Sequence, residues 1–418
     1  MMKKIYLLIV LSISFSVISQ TTIEEIRSVK LNASREITIK LPTSYQSNPE
    51  KKFPLLVVLD SEYLFNPFEG NILYANYWDD IPEMVIVGIH QNKNQERYED
   101  SEFDVQTGLP VNKGGAFFEF IGGELLPYLE KKYRIAPFKI IAGLDSTAGF
   151  LNSFLYKDIP QFNAYISLSP ELAKDMEVRI PARLAASKTS VFYYQATADG
   201  DLKKFQDQIR VLDKNILSVK NPLVNYKFDD FKNASHYSLV LSAIPNALYQ
   251  IFAGFQPIST REYNEKIVVL KEGYADYLKN KYEVMEKSLG IKMNVRLNDF
   301  KAVETAIMKN EAYGEFEQLA QISGQQYPKS MLYEYHMGMY YEMRKELPKA
   351  LKNYQNAFMK EEIGDLTKSM LMDKAEDIKA RLPKKIKGNR KAVIVDEVPA
   401  ETTPNETPIE TPTEEKKP

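Results

Sequence analysis

Short apolar, β-branched runs alternate with amphipathic helical patterns over roughly the first 258 residues. The apolar runs, each typical of a buried strand, are Phe53–Leu59, Met84–Ile89, Lys139–Ala142, Ala164–Leu168, Ser190–Tyr194 and Leu223–Phe228. Helical patterns lie between several of them, at Ala116–Tyr133, Phe150–Lys157, Leu202–Val219 and Ser238–Phe255. This alternation predicts an α/β fold with a mostly parallel sheet and helices on both faces. The run Glu36–Lys40 alternates polar and apolar residues, which predicts an antiparallel edge strand.

Strand signals vanish in residues 259–383, where helix formers dominate and an all-α domain is expected. One stretch resembles the tetratricopeptide (TPR) pattern through Gly338, Tyr341, Ala350, Tyr354 and Ala357. Small residues at these offsets let two antiparallel helices pack closely while aromatic rings fill the seam. The pattern departs at Glu334, where an aromatic residue is expected, and 34 residues earlier only Phe316, Ala320 and Pro328 agree. We therefore expect one TPR-like hairpin, packed on neighbouring helices or on the first domain, that is able to bind a protein or peptide partner.

The two ends of the chain differ from the rest. Lys3 and Lys4 precede the apolar run Ile5–Val17, and Ser19 is a small residue at a plausible cleavage point. This pattern predicts a signal peptide over residues 1–19, since the run falls short of the ~20 residues that a spanning helix needs. We expect an exported mature chain, periplasmic or secreted, without a transmembrane segment. The Thr/Pro/Glu-rich residues 384–418 predict a disordered tail.

Composition narrows the chemistry. The 418 residues include no cysteine and three histidines, and the formal net charge is −2. The absence of cysteine excludes a thiol nucleophile and a Cys-ligated metal, and the near-neutral charge gives no electrostatic footprint for nucleic acid. Histidine chemistry must therefore use His90, His236 or His336. We expect His336 to pack within the repeat helix, whereas His90 follows a strand and could line a cleft.

The segment Phe138–Phe150 is predicted to run from strand through a sharp turn into a helix, which is the setting of a nucleophile elbow. With four further stretches, it resembles the esterase family of the α/β-hydrolase fold that includes enterochelin esterases and S-formylglutathione hydrolases. Those stretches are Leu55–Asp60, Ile81–Ile89, Gly114–Arg134 and Phe162–Pro170. The resemblance covers about residues 25–258. It implies hydrolysis of a small-molecule carboxylic ester by a Ser-His-acid triad that needs no cofactor or metal.

The residues at the reactive centre depart from that family. Its elbow reads Gly-His-Ser-x-Gly-Gly, whereas this chain has Gly143-Leu-Asp145-Ser146-Thr147-Ala. Asp145 thus stands at the nucleophile position, and a shift of one residue would make Ser146 the nucleophile. The resemblance places the catalytic histidine at His236. For the acid it offers Asp199 as the first choice and Asp201 as the second.

Three interpretations stay open at the sequence level. The first is an esterase that uses Ser146, His236 and Asp199. The second is a catalytically inactive homologue that binds ligands through its pocket and a partner through the helical region. The third is a hydrolase with Asp145 as the nucleophile. A Ser146 hydroxyl within hydrogen-bond reach of His236 would favour the first, whereas Asp145 in that place would favour the second.

Overall fold

The computed structural model describes residues 21–383. The predicted signal peptide (1–19) and tail (384–418) lie outside the described residues. The described chain forms an eight-stranded sheet in the order β1-β2-β4-β3-β5-β6-β7-β8, with only β1 and β2 antiparallel to their neighbours. The strands are β1 Thr21–Ser28, β2 Ala33–Lys40, β3 Phe53–Val58, β4 Val85–Ile89, β5 Ile135–Leu144, β6 Ala164–Leu168, β7 Val191–Ala198 and β8 Val224–Phe231.

Eight α-helices accompany this sheet between residues 21 and 258. They are α1 Ser61–Tyr77, α2 Glu96–Asp100, α3 Asn112–Phe120, α4 Leu126–Lys132, α5 Ser146–Leu151, α6 Met176–Ala185, α7 Lys203–Leu217 and α8 Leu239–Ile251. A π-helical turn, Ile121–Leu125, joins α3 to α4, and a 3₁₀ turn, Asn152–Tyr156, extends α5. The predicted α/β class is therefore confirmed. The prediction did not include β1, α1, α2 or α6.

Both faces of the sheet are buried under helices. Successive side chains of a strand point to opposite faces, so each central strand contributes to the apolar clusters on both sides. In β3, Leu55 and Val57 belong to the apolar cluster beneath α3 to α7. Leu56 and Val58 belong to the cluster on the other face, beneath α1 and α8. A strand that is apolar at every position is therefore explained by two covered faces.

The helical region packs on the α1 and α8 side of the sheet, where a single apolar cluster continues from the strands into it. Its helices are α9 Thr260–Glu262, α10 Tyr274–Leu289, α11 Leu297–Lys309, α12 Glu315–Gln326, α13 Leu332–Met343, α14 Leu347–Ala357 and α15 Lys368–Arg381. Arg296 links the two parts: it forms an ion pair with Asp79 and donates to the carbonyl oxygen of Phe255 at 2.8 Å. None of the helices between residues 21 and 383 has the length and apolar character to span a membrane.

The helices α13 and α14 form the hairpin that the TPR-like pattern anticipates. Gly338 lies against the Tyr354 ring so closely that an added Cβ would overlap the ring. Ala350 and Ala357 are fully buried in the same cluster. Close packing of two helices thus explains the small residues, while assignment of the region to the TPR class stays a prediction.

Candidate active site

The elbow between β5 and α5 places Asp145 at its tip. Asp145 has φ 60° and ψ −118°, a strained conformation for a residue with a side chain. Gly143 is required two residues earlier, since an added Cβ would lie 2.8 Å from the Thr147 hydroxyl oxygen. Ser146 is already the first residue of α5. The backbone therefore presents Asp145, and not Ser146, at the carboxyl edge of the sheet.

A buried polar network holds a cation beside Asp145. The Arg97 guanidinium lies 3.6 Å from the Asp145 carboxylate, measured from Nη1 to Oδ2. Arg97 Nε donates to Asp60 at 2.7 Å, and Nη2 donates to the carbonyl oxygen of Leu144 at 2.9 Å. The Thr147 hydroxyl donates to the second Asp60 oxygen at 2.6 Å. Thr147, which replaces a family glycine, is thus accommodated as part of this network.

The charge balance of the network follows from burial. Asp60 is fully buried, and this burial raises the pKa of its carboxyl, although the Arg97 charge and the Thr147 hydrogen bond oppose the rise. Burial, the largest single effect, would lower the pKa of Arg97, but the interactions with Asp60, Tyr63 and Asp145 together outweigh it and raise that pKa. Arg97 is therefore a fixed cation beside the Asp145 carboxylate.

The Ser146 side chain is turned into the protein. The residue is 9% exposed, and its hydroxyl oxygen is buried without a hydrogen-bond partner among residues 21–383. A serine nucleophile of this type needs a hydrogen bond to its histidine base. The contact between Ser146 and His236 that the register-shifted esterase requires is therefore missing.

His236 is paired with Asp201, not with Asp199. The His236 Nδ1 atom lies 2.7 Å from Asp201 Oδ1. Asp201 Oδ2 accepts hydrogen bonds from the Ser169 hydroxyl at 2.6 Å, the Thr197 hydroxyl at 2.7 Å and the Ala198 N–H at 2.8 Å. Burial alone would raise the pKa of Asp201, but these hydrogen bonds and that of His236 lower it to about 2. Asp201 is consequently a firmly ionised partner for the imidazole.

The expectation that Asp199 would be the acid is not met. Asp199 accepts from the backbone N–H of Asn233 at 2.9 Å and lies 3.5 Å from the Lys232 ammonium. It is exposed and points away from the imidazole that it was expected to contact. The turn at Ala198–Asp201 reverses the chain, so that the second carboxylate faces His236 and the first faces solvent.

We predict that His236 titrates above its ordinary pKa of 6.5. The Asp201 hydrogen bond is the largest cause, and the Asp145 charge adds to it, against burial and Arg97. The pair therefore adds stability that is full below pH ~6.5 and is lost as pH rises through the folded-state pKa. An NMR titration of the imidazole should show this raised pKa and a lower one in Asp145→Asn. Asp158→Asn, at a side chain that is 97% exposed, should leave it unchanged.

A His236 resonance that titrates below pH 6.5, or a His236 pKa that is unchanged in Asp145→Asn, would contradict this account. The variant His236→Gln identifies the resonance by its disappearance, because the chain holds two other histidines.

The other two histidines have partners outside the elbow. His90 Nε2 lies 2.8 Å from the Thr38 hydroxyl, and Nδ1 is 3.5 Å from Glu62 and 3.6 Å from Glu36. His336 is fully buried in the helical region, as its predicted packing role requires. Within the described part of the chain, no group of three or more His, Cys, Asp or Glu side chains could hold a metal ion.

Sequence reasoning missed two residues of the site. Asp60 ends a stretch that carries the family resemblance, so its position was a usable signal. Arg97 lies in a short helix, α2, in a polar segment without a motif. Its role follows only from its contacts with Asp60, Leu144 and Asp145.

Comparisons with known proteins agree with this architecture. Residues 28–207 match the family described as "Putative esterase". The structure is similar to that of an uncharacterised protein from Capnocytophaga ochracea, with 30% identity and a TM-score of 0.79 over 86% of this chain and 100% of that one. No curated protein matches the sequence.

A second solved structure supports the fold alone. It is an IroE-like serine hydrolase from Shewanella oneidensis, with 17% identity and a TM-score of 0.55, covering 72% of this chain and 98% of that one. In this chain the mostly parallel sheet, the elbow after β5 and the His236–Asp201 pair after β7 and β8 are arranged as in the α/β-hydrolase fold. The chain belongs to the esterase family of the α/β-hydrolase fold.

Proposed function

We propose that this family member binds an ester-type small molecule at the elbow without hydrolysing it. The observation that carries the proposal is the position of Asp145 at the tip of the elbow. A carboxylate that attacks a carboxylic ester forms an anhydride, which is a poor intermediate for hydrolysis. The usual acyl-transfer route is therefore blocked at its first step.

Ser146 offers no substitute. Its hydroxyl is buried and lacks a base, and displacement of the helix start would be needed to expose it. Less of His236 is available as the neutral base for such a step, since its hydrogen bond to Asp201 and the Asp145 charge favour the imidazolium. Serine catalysis requires an exposed hydroxyl next to a neutral histidine; the first is missing, and the raised pKa of His236 reduces the second.

The rest of the site supports binding. The buried carboxylate of Asp201 still fixes the His236 ring, and the network of Asp60, Arg97 and Thr147 still holds the elbow rigid. A protonated imidazole and a helix N-terminus both present donors to a ligand carbonyl oxygen. A rigid, preorganised set of donors of this kind binds a carbonyl compound with or without a nucleophile.

The test combines turnover with binding. The purified protein should hydrolyse p-nitrophenyl acetate at the buffer rate, and Ser146→Ala and His236→Ala should leave that rate unchanged. Saturation-transfer NMR should detect binding of the stable ester methyl 4-nitrobenzoate, and His236→Ala should weaken the signal. Turnover that is lost in both variants would instead establish the register-shifted esterase. A wild-type protein without the binding signal would refute the binding role.

A second candidate is an aspartate-nucleophile hydrolase, favoured by the joint presence of Asp145 at the elbow and the His236–Asp201 pair. A carboxylate attacks saturated carbon, forming an alkyl ester and releasing the leaving group, and a histidine-activated water then hydrolyses that ester. If Asp145 acts in this way, incubation of His236→Ala with 1-bromobutane should add a butyl group to the Asp145 peptide, which mass spectrometry would detect. The Arg97 cation beside Asp145 weakens the carboxylate as a nucleophile, so our binding proposal predicts that no adduct forms.

A further inference from the structure

A cavity of about 220 Å³ lies in the helical region, between α11, α13 and the segment that precedes α15. Its apolar walls are formed by Leu297, Phe300, Leu332, Ile363, Leu366 and Met370. The carboxylate of Glu304 also lines it, on a side chain that is 16% exposed. Two further charged residues, Lys301 and Asp365, line it as a pair with each other. A mostly apolar cavity with few polar groups is a typical small-molecule site.

Glu304 is held in place by a buried histidine. His336 Nε2 lies 2.7 Å from Glu304 Oε1, and Nδ1 lies 2.9 Å from the Ser323 hydroxyl oxygen. The Ser323 hydroxyl donates to the carbonyl oxygen of Ala320 at 2.9 Å, so its oxygen accepts from the Nδ1–H of His336. The Nε2 atom therefore shares one proton with the Glu304 carboxylate.

A positively charged ligand is compatible with this arrangement. Its charge would be complementary to the Glu304 carboxylate. The Phe300 ring packs against the histidine that holds Glu304, with its centroid 5.6 Å from that of His336. Burial, followed by the nearby Glu304 charge, raises the pKa of Tyr335, so its phenol remains a neutral donor at the cavity wall.

An anionic ligand is disfavoured at the same place. The basic residue at the mouth, Lys301, is already paired with Asp365, at 2.5 Å between Nζ and Oδ2. A carboxylate ligand would therefore meet Glu304 without a free countercharge among the residues that line the cavity. A neutral alcohol would gain only an ordinary hydrogen bond.

We propose that this cavity binds a primary alkyl amine as its ammonium ion, with the head on Glu304 and the hydrocarbon chain along the apolar walls. At about 30 Å³ for each water-sized group, the cavity holds roughly seven such groups. This number matches the carbon and nitrogen atoms of n-hexylamine. The same ammonium chemistry occurs in a lysine side chain, so both sources need to be compared.

The experiment is calorimetric titration of the full chain at neutral pH with n-hexylamine, hexanol, hexanoate and a blocked lysine amide. A charge-assisted hydrogen bond should make the amine bind roughly 10-fold more tightly than the alcohol. Hexanoate should not bind. The tighter of the two ammonium compounds identifies the source of the ligand.

Glu304→Gln should abolish the preference for amine over alcohol, whereas Glu317→Gln, at an exposed glutamate on α12, should retain it. Met370→Trp fills the mouth without changing Glu304 and should weaken both ligands; circular dichroism checks that each variant is folded. Equal affinity for amine and alcohol, an unchanged preference in Glu304→Gln, or no binding at millimolar concentrations would overturn the proposal. These outcomes do not depend on the elbow or on its activity.

Discussion

Asp145→Ser is expected to create ester hydrolysis, the activity that we propose the wild type lacks. The elbow backbone already gives residue 145 the strained, partly exposed position of a nucleophile. The substitution also removes a negative charge that raises the pKa of His236, so more of the imidazole becomes a neutral base. We expect the rate on p-nitrophenyl acetate to rise by ~100-fold or more, which is well below the ~10⁶ that a complete, optimised triad supplies.

Two matched variants make this prediction specific. Asp145→Ala removes the same charge without supplying a hydroxyl, and it should not gain activity. Adding His236→Ala to Asp145→Ser should remove the gain, because the serine then lacks its base. If the folded Asp145→Ser protein stays at the buffer rate, the elbow has lost more than its nucleophile, and Thr147 in place of the family glycine becomes the next position to restore.

Arg97→Met is expected to destabilise the protein by ~3–5 kcal/mol, because it leaves the fully buried Asp60 carboxylate without its cation. The methionine keeps much of the side-chain volume, so the loss reports mainly on the charge. The free energy of unfolding from urea denaturation measures it.

The control is an exposed ion pair of the same type. Arg261 pairs with Glu265 in the helical region, and its side chain is 83% exposed. Arg261→Met should therefore cost less than about 1 kcal/mol. Adding Asp60→Asn to Arg97→Met should recover part of the loss, since it removes the unpaired charge. A similar cost for both arginine variants would show that the Arg97–Asp60 pair is not a structural centre of the elbow.

Periodicity predicted most of the sheet because the central strands are covered on both faces and read as continuous apolar runs. The edge strand β1, Thr21–Ser28, was missed, since half of its positions face solvent and only two are apolar. Its pairing partner β2 was recognised from the alternation in Glu36–Lys40. Apolar periodicity therefore misses a strand that is held in the sheet by backbone hydrogen bonds but buries few apolar side chains.

The acid of the histidine pair shows a different limit. Asp199 and Asp201 lie two residues apart in one loop, and their spacing does not indicate which of them faces His236. The backbone N–H of Gly200 donates to the carbonyl oxygen of Ala234 at 2.9 Å, which ties this loop to the one that carries the histidine. That long-range contact turns Asp201 inward and leaves Asp199 in solvent.

The sequence by itself determined that this chain has an α/β-hydrolase architecture, an elbow after the predicted strand Lys139–Ala142 and an aspartate at or next to the nucleophile position. It could not choose between Asp145 and Ser146, since small residues flank both registers imperfectly. The tertiary structure decided that choice through the positive φ of Asp145 and the start of α5 at Ser146. It also revealed Arg97, whose role depends on contacts between residues 37 to 48 positions apart in the chain.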